Sequence, residues 1–324
     1  MNIFSKPGRN ALAVVVVAGI MGYDGIVLAQ NQPQDPPQDQ RIDYQAELPP
    51  TTVAVPPGKA FFEPPREEDI PDNQFGAMVR LGHQIFVDTQ TYAREYVGNG
   101  MNCTNCHLDQ GRKANSAPLW AAYTLYPAYR KKNDHVNTYE ERLQGCFRYS
   151  MNGTPPPSGS KALTALVTYS YWLAQGAPTG EVLPGRGYPV VAEPAGGYDL
   201  ARGEKVYQAS CAICHGADGQ GQKVGESYVF PPLWGPDSYN WGAGMHRINT
   251  AAGFIKGNMP LGHGGSLSDQ EAWDVAAFMN SHERPQDPRF EGDVNATRER
   301  FHQHPGFYGR ELNGKILGRD NTDQ

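Results

Sequence analysis

Two five-residue stretches, "CTNCH" (Cys103, Cys106, His107) and "CAICH" (Cys211, Cys214, His215), use four of the five cysteines in this 324-residue chain. Each sets two thiols three positions apart and adds a histidine directly after the second. A redox disulfide needs no such histidine in both copies, and structural zinc prefers four closed nitrogen or sulfur ligands. Two thiols at this spacing can each add to one vinyl group of a porphyrin, and the adjoining imidazole then falls onto the iron. That is the c-type haem attachment pattern. The chain is therefore expected to carry two haem c, covalently bound through Cys103, Cys106 and His107 and through Cys211, Cys214 and His215. With only 39% apolar residues, 37 glycines and 27 prolines, such a chain gains from cores filled partly by a large apolar cofactor.

The flanking segments read as helices. "LARGEKVYQASCAICHG" spaces Leu200, Gly203, Val206 and Tyr207 for one helix face, and Gly203 permits close packing on another helix. Its expected partner is "SLSDQEAWDVAAFMNSH", opened by Ser268 and Glu271 as a capping box. The first half repeats the plan. "PDNQFGAMVRLGHQIFVDT" puts Phe75, Met78, Val79, Gly82, Ile85 and Phe86 on one face, and "SKALTALVTYSYWLAQG" runs from a Ser160 cap to a Gly176 stop. The expected fold is mainly α, with two cytochrome c-like domains each enclosing one haem c.

The domain organisation expected is 1–29 signal peptide, 30–60 Pro/Gln-rich arm, 61–180 first cytochrome c domain, 181–196 linker, 197–284 second domain and 285–324 tail. Lys6 and Arg9 precede an apolar run from Ala11 to Met21, with Val27 and Ala29 at the small-residue cleavage positions. The run is short against the roughly 20 residues of a spanning helix, so an exported, periplasmic protein without a membrane anchor after cleavage is expected. "QNQPQDPPQDQ" reads as disordered or extended. The tail holds Phe290, Phe301, Phe307 and Tyr308 without a period, leaving open a strap across a domain or partial disorder. Net charge is −6, and no basic tail or basic-aromatic interleaving points to nucleic acid.

Each histidine-bound iron keeps one axial site, and its occupant separates electron transfer from chemistry. For the second haem, "GNMPLG" offers Met259, 44 residues after His215; His246 and His263 compete but read better as ordinary loop histidines. For the first haem, Met151 lies 44 residues after His107, and Cys146 lies 39 after it. The repeat favours Met151. The lone Cys146 between Arg142 and Arg148 favours a thiolate, because cationic neighbours stabilise that form. Spacing alone leaves both open. If Met151 is the ligand, a non-enzymatic dihaem electron carrier with His/Met at both irons follows. A dihaem peroxidase is a third class, with no mark of an open peroxide-binding iron.

"VGNGMNCTNCHLDQG", "YRKKNDHVNTYEERLQGCFRYSMNG", "FPPLWGPDSYNWGAGM" and "GNMP" together resemble the dihaem thiosulfate dehydrogenases, from about residue 75 to 285. The C-F-R-x-S-M-N-G segment is the most specific piece. The resemblance implies His107 and Cys146 on the first iron, at the active site, and His215 and Met259 on the second. Some relatives carry a competing lysine directly before that methionine, where this chain has Asn258. It also implies that two thiosulfates are joined to tetrathionate, with two electrons leaving through the second haem to a small cytochrome c or another periplasmic carrier. The substrate is a dianion, and seven basic residues against three acidic ones lie between Arg112 and Arg148. Guanidinium forks suit sulfonate oxygens as they suit carboxylate and phosphate. Arg130, Arg142 and Arg148 are the expected anion clamp, with Cys146 carrying the sulfane sulfur and with Tyr129 and Gln144 as weaker candidates.

Overall fold

Asn73 opens α1 (Gln74–Val87) by accepting a hydrogen bond from Gly76 N–H at 2.9 Å. In the computed structural model, which describes residues 60–225 and 227–319, seven helices of seven or more residues form the frame. After α1 come α2 (Tyr139–Gly145), α3 (Lys161–Leu173), α4 (Leu200–Ser210), α5 (Ile248–Asn258), α6 (Asp269–Asn280) and α7 (Val294–Phe301). Among the described residues sheet is confined to three two-stranded antiparallel hairpins: β1 (Ala128–Arg130) with β2 (His135–Asn137), β3 (Gln222–Val224) with β4 (Ser227–Phe230), and β5 (Glu311–Leu312) with β6 (Lys315–Ile316). The mainly α expectation is what forms. The signal peptide and most of the Pro/Gln-rich arm lie outside the described residues.

The caps foreseen in the sequence are made. Ser160 accepts from Leu163 N–H to start α3, and Ser268 and Glu271 exchange hydrogen bonds to start α6. Each half is built on a crossing of its first and last helices, α1 on α3 and α4 on α6. Glycines make both crossings possible. A Cβ at Gly82 would run into the Ala165 carbonyl of α3, and one at Gly203 into the Asp274 carbonyl of α6. Two apolar cores result. One gathers Val79, Ile85, Trp120, Leu163 and Leu166; the other gathers Tyr207, Trp241, Ile248, Trp273 and Ala276.

The tail is a strap on the second core. Val294, Phe307, Tyr308 and Leu317 are buried in it, and Gly318 N–H donates to the Glu283 carboxylate at 2.7 Å. Buried polar side chains also join the two halves. Asn258 at the end of α5 is fully buried and donates to the Asn115 carbonyl at 2.8 Å. Asn240 donates to the Arg148 carbonyl and to Asn152 Oδ1, both at 2.9 Å. Segment 181–196, expected as a plain linker, pairs along the first half: the Gly185 and Gly187 carbonyls accept from Asn115 and Ala117 N–H at 2.7 and 2.8 Å.

Candidate functional site

The two C-x-x-C-H segments line two cavities. Cys103, Cys106 and His107 line one of about 300 Å³; Cys211, Cys214 and His215 line one of about 280 Å³. His107 Nδ1 lies 2.8 Å from the Ala117 carbonyl, and His215 Nδ1 lies 2.8 Å from that of Pro231. A carbonyl only accepts, so Nδ1 carries the hydrogen in both rings and Nε2 keeps its lone pair. Burial lowers both histidines, His107 to about 4, which holds the rings neutral. Such oriented imidazoles are what a metal centre requires of its surroundings. With both thiols at the same wall and apolar linings such as Leu143, Leu166, Val275 and Met279, the two cavities fit haem c.

The first cavity brings the two rival sulfurs together. α2 begins with a Thr138–Glu141 capping box and runs into a π-helical turn, Cys146–Ser150, in which Met151 N–H donates to the Cys146 carbonyl at 3.0 Å. Such wide turns recur at functional sites. Cys146 and Met151 both line the cavity. Only Cys146 has a charged partner: Arg142, one helical turn earlier, donates from Nη1 to its Sγ at 2.8 Å. The interaction with the Cys146 sulfur raises the Arg142 guanidinium above its ordinary value, against burial. Arg130, at the end of β1, lines the same cavity; burial lowers it, and repulsion from Arg142 and Arg186 adds to the effect.

Arg148, expected in the clamp, is exposed and is not among the lining residues. Within the π turn Phe147 takes the buried position beside it. The two weaker candidates are engaged elsewhere. Tyr129 donates from its hydroxyl to Asp134 at 2.7 Å, and Gln144 donates to the Pro156 carbonyl at 2.9 Å. The residue that sequence reasoning missed is Arg186. It lines the first cavity, and its buried Nε has no hydrogen-bond partner. Gly185 and Gly187 on either side take positive φ of 78° and 71°, which turns this single side chain inward from an aperiodic Gly/Pro stretch. "GRG" was the available signal.

Met259 follows α5 and lines the second cavity. Asn258 before it is held by the Asn115 and Phe254 carbonyls. Neither His246 nor His263 lines either cavity: His246 is buried under the tail and His263 is exposed. Met101, Cys106 and Met245 line both cavities, so one thin wall separates the two cofactor sites.

Comparison with known proteins agrees with this architecture. Residues 89–179 match the family model "SoxA/TsdA, cytochrome c domain", and residues 199–279 match "Cytochrome C oxidase, cbb3-type, subunit III". The thiosulfate dehydrogenase of Stutzerimonas stutzeri (strain A1501) is 66% identical over 265 residues, covering 81% of this chain and 86% of that protein. That of Thiomonas intermedia (strain K12) is 56% identical over 90% of each. The solved thiosulfate dehydrogenase TsdBA of Marichromatium purpuratum, in its "as isolated" form, superposes with a TM-score of 0.78 at 52% identity. The match covers 80% of this chain and 57% of that one, so this chain spans little more than half the length of that structure's chain. Two cytochrome c domains with two haem c sites, in a sequence this close to its relatives over most of its length, place the chain in the dihaem thiosulfate dehydrogenase family.

Proposed function

We propose that this protein is a periplasmic oxidoreductase that joins two thiosulfates into tetrathionate, releasing two electrons. The observation that carries this reading is the Cys146 sulfur, hydrogen-bonded by Arg142 at 2.8 Å inside the cavity that His107 lines. Each haem c accepts one electron at a time, so two per chain match the two electrons of the coupling.

The residues around Cys146 supply what the substrate lacks. Two dianions must approach each other against their repulsion, and Arg130, Arg142 and Arg186 present three guanidinium groups to one cavity. Those groups repel one another when no anion is bound, so anionic occupants relieve the cost. The unpartnered Arg186 Nε is a donor that a sulfonate oxygen would satisfy. In the proposed chemistry the Cys146 thiolate and the sulfane sulfur of the first thiosulfate form a sulfur–sulfur bond, and two electrons leave. The sulfane sulfur of the second thiosulfate then attacks that of the first. This forms tetrathionate and returns the Cys146 thiolate; no proton is consumed or released. His107 and Cys146 are the residues that would hold the iron of the first haem, and His215 and Met259 those that would hold the iron of the second.

Electrons are proposed to leave through the second haem to a small cytochrome c or similar periplasmic carrier. Val229 and Leu261 line the second cavity and are also exposed, and Ile213 in the attachment segment is 82% exposed. An apolar rim of this kind suits brief docking of another redox protein. No helix among the described residues is long and apolar enough to cross a membrane.

Met151, buried in the same cavity, specifies the competing reading of a plain electron carrier. Cys146→Ala and Met151→Leu separate the two. The first should lower thiosulfate oxidation by roughly a thousandfold or more and change the low-spin EPR signal of the first haem, while the second should leave both essentially intact. Full activity and an unchanged spectrum in Cys146→Ala would sink the proposal.

A further inference from the structure

Outside the linings of both cavities, three histidines from distant stretches meet beneath the strap. His246 closes the short 3-10 turn Gly244–His246, while His302 caps the end of α7 and His304 lies two residues further on. One nitrogen from each ring lies within 4.8 Å of the others. In every ring the second nitrogen is engaged. The Ala243 carbonyl takes His246 Nδ1, Asp287 Oδ2 lies 3.0 Å from His302 Nε2, and the Pro305 carbonyl lies 3.3 Å from His304 Nδ1. Left over are His246 Nε2, His302 Nδ1 and His304 Nε2, the last a buried nitrogen with no hydrogen-bond partner.

The chemistry of those three atoms is the point. Carbonyls and carboxylates accept, so the engaged nitrogens carry the ring hydrogens and the remaining ones carry lone pairs. His246 Nε2 and His302 Nδ1 then face each other at 3.1 Å as two acceptors. That arrangement is repulsive unless something positive stands between them, and burial of both rings (1% and 6% exposed) disfavours adding a second proton. An oriented imidazole whose far nitrogen donates to a carbonyl or carboxylate is the usual partner of a bound metal. We propose that His246, His302 and His304 form a binding site for one late first-row transition cation of the zinc or copper class.

Three imidazoles suit such ions and not magnesium or calcium, which take oxygen ligands. Three histidines also leave a fourth position open. Arg247 and Arg289 place positive charge near the rings; Asp287 offsets it by pairing with Arg289 at 2.6 Å and with His302. The location gives the site a structural role. Ile248 N–H donates to the Pro305 carbonyl at 3.1 Å, and His246 adjoins Met245, which lines both cofactor cavities. A cation here staples the C-terminal strap to the wall between the two haem sites.

The test uses the full-length dihaem protein, stripped with a chelator, equilibrated with Zn²⁺, desalted and analysed for zinc and iron. The expected result is one zinc per chain beside two irons. His304→Gln is the chosen variant because that ring sits at the partly exposed rim of the cluster. It should lower zinc affinity at least about tenfold with iron content and haem absorption unchanged, and zinc should raise the unfolding temperature of the unsubstituted protein but not of the variant. His263→Gln, at an exposed histidine outside the cluster, should bind zinc normally. Absence of stoichiometric zinc, equal zinc in His304→Gln, or equal loss in His263→Gln would each overturn the site.

Discussion

At the scale of single residues, the first cavity separates side chains that look alike in the sequence. Seven basic residues cluster between Arg112 and Arg148, yet they do different work. Arg112 donates to the Pro65 carbonyl at 2.5 Å, Lys132 donates to the Gly242 carbonyl at 2.5 Å, and Arg148 is exposed. Arg130 and Arg142 reach the cavity, and Arg186 joins them from outside the cluster. Arg186→Gln should therefore lower kcat/KM for thiosulfate by about tenfold to a hundredfold, mainly through KM, because it removes a buried charge-assisted donor. Arg148→Gln should change it by less than about twofold, as befits an exposed charge. Steady-state kinetics of the two variants side by side checks both. Cys146 stood out in the sequence as the single cysteine left over from two attachment pairs, between two arginines, but spacing left it level with Met151, and both sulfurs line the cavity. Arg186 did not stand out, because a lone arginine in a Gly/Pro segment has no periodicity to reveal which way it turns.

At the scale of elements, helix ends and helix crossings follow from local sequence. Ser160, Asp199 and Ser268 cap their helices through side-chain acceptors, and such caps act within three residues of their own position. The two glycine crossings are likewise local in cause, although their partners are distant. Gly203→Ala should destabilise the protein by about 1–3 kcal/mol, and Gly82→Ala by a similar amount, because the added methyl meets helix backbone that can move aside only by opening the crossing. Thermal unfolding followed at the haem absorption band gives the measurement; an unchanged midpoint for both variants would contradict the crossing. The π turn Cys146–Ser150 was not foreseen. Regular helical spacing would set Arg148 two residues beyond Cys146 without deciding its exposure, and the wider turn places Phe147 inside and Arg148 outside.

At the scale of the whole molecule, the two haem domains share a wall and a few buried amides. Asn258 links the residue before Met259 to Asn115 in the other half. Asn258→Ala would leave the buried Asn115 carbonyl without that donor, a loss of about 1–3 kcal/mol, read as a lower denaturant midpoint. If the link also fixes the loop that presents Met259, the second haem's reduction potential should shift while the first haem's EPR signal stays the same. The strap adds a third layer, burying Val294, Phe307, Tyr308 and Leu317 against the second core. Its aromatics were visible in the sequence, but their destination was not, since a segment without a period carries no signal of which surface it covers.

What the sequence by itself determined is therefore covalent and local: two attachment motifs, the histidine in each, the helices that flank them and the odd cysteine. Those features depend on spacings of a few residues, where bond geometry and backbone periodicity leave few options. Only the tertiary structure decided which arginines face the first cavity, how residues 181–196 and the strap are used, and that His246 meets His302 and His304. These juxtapositions join residues from tens to more than a hundred positions apart. They depend on how packed cores orient neighbouring segments, and no local pattern in the chain encodes that orientation.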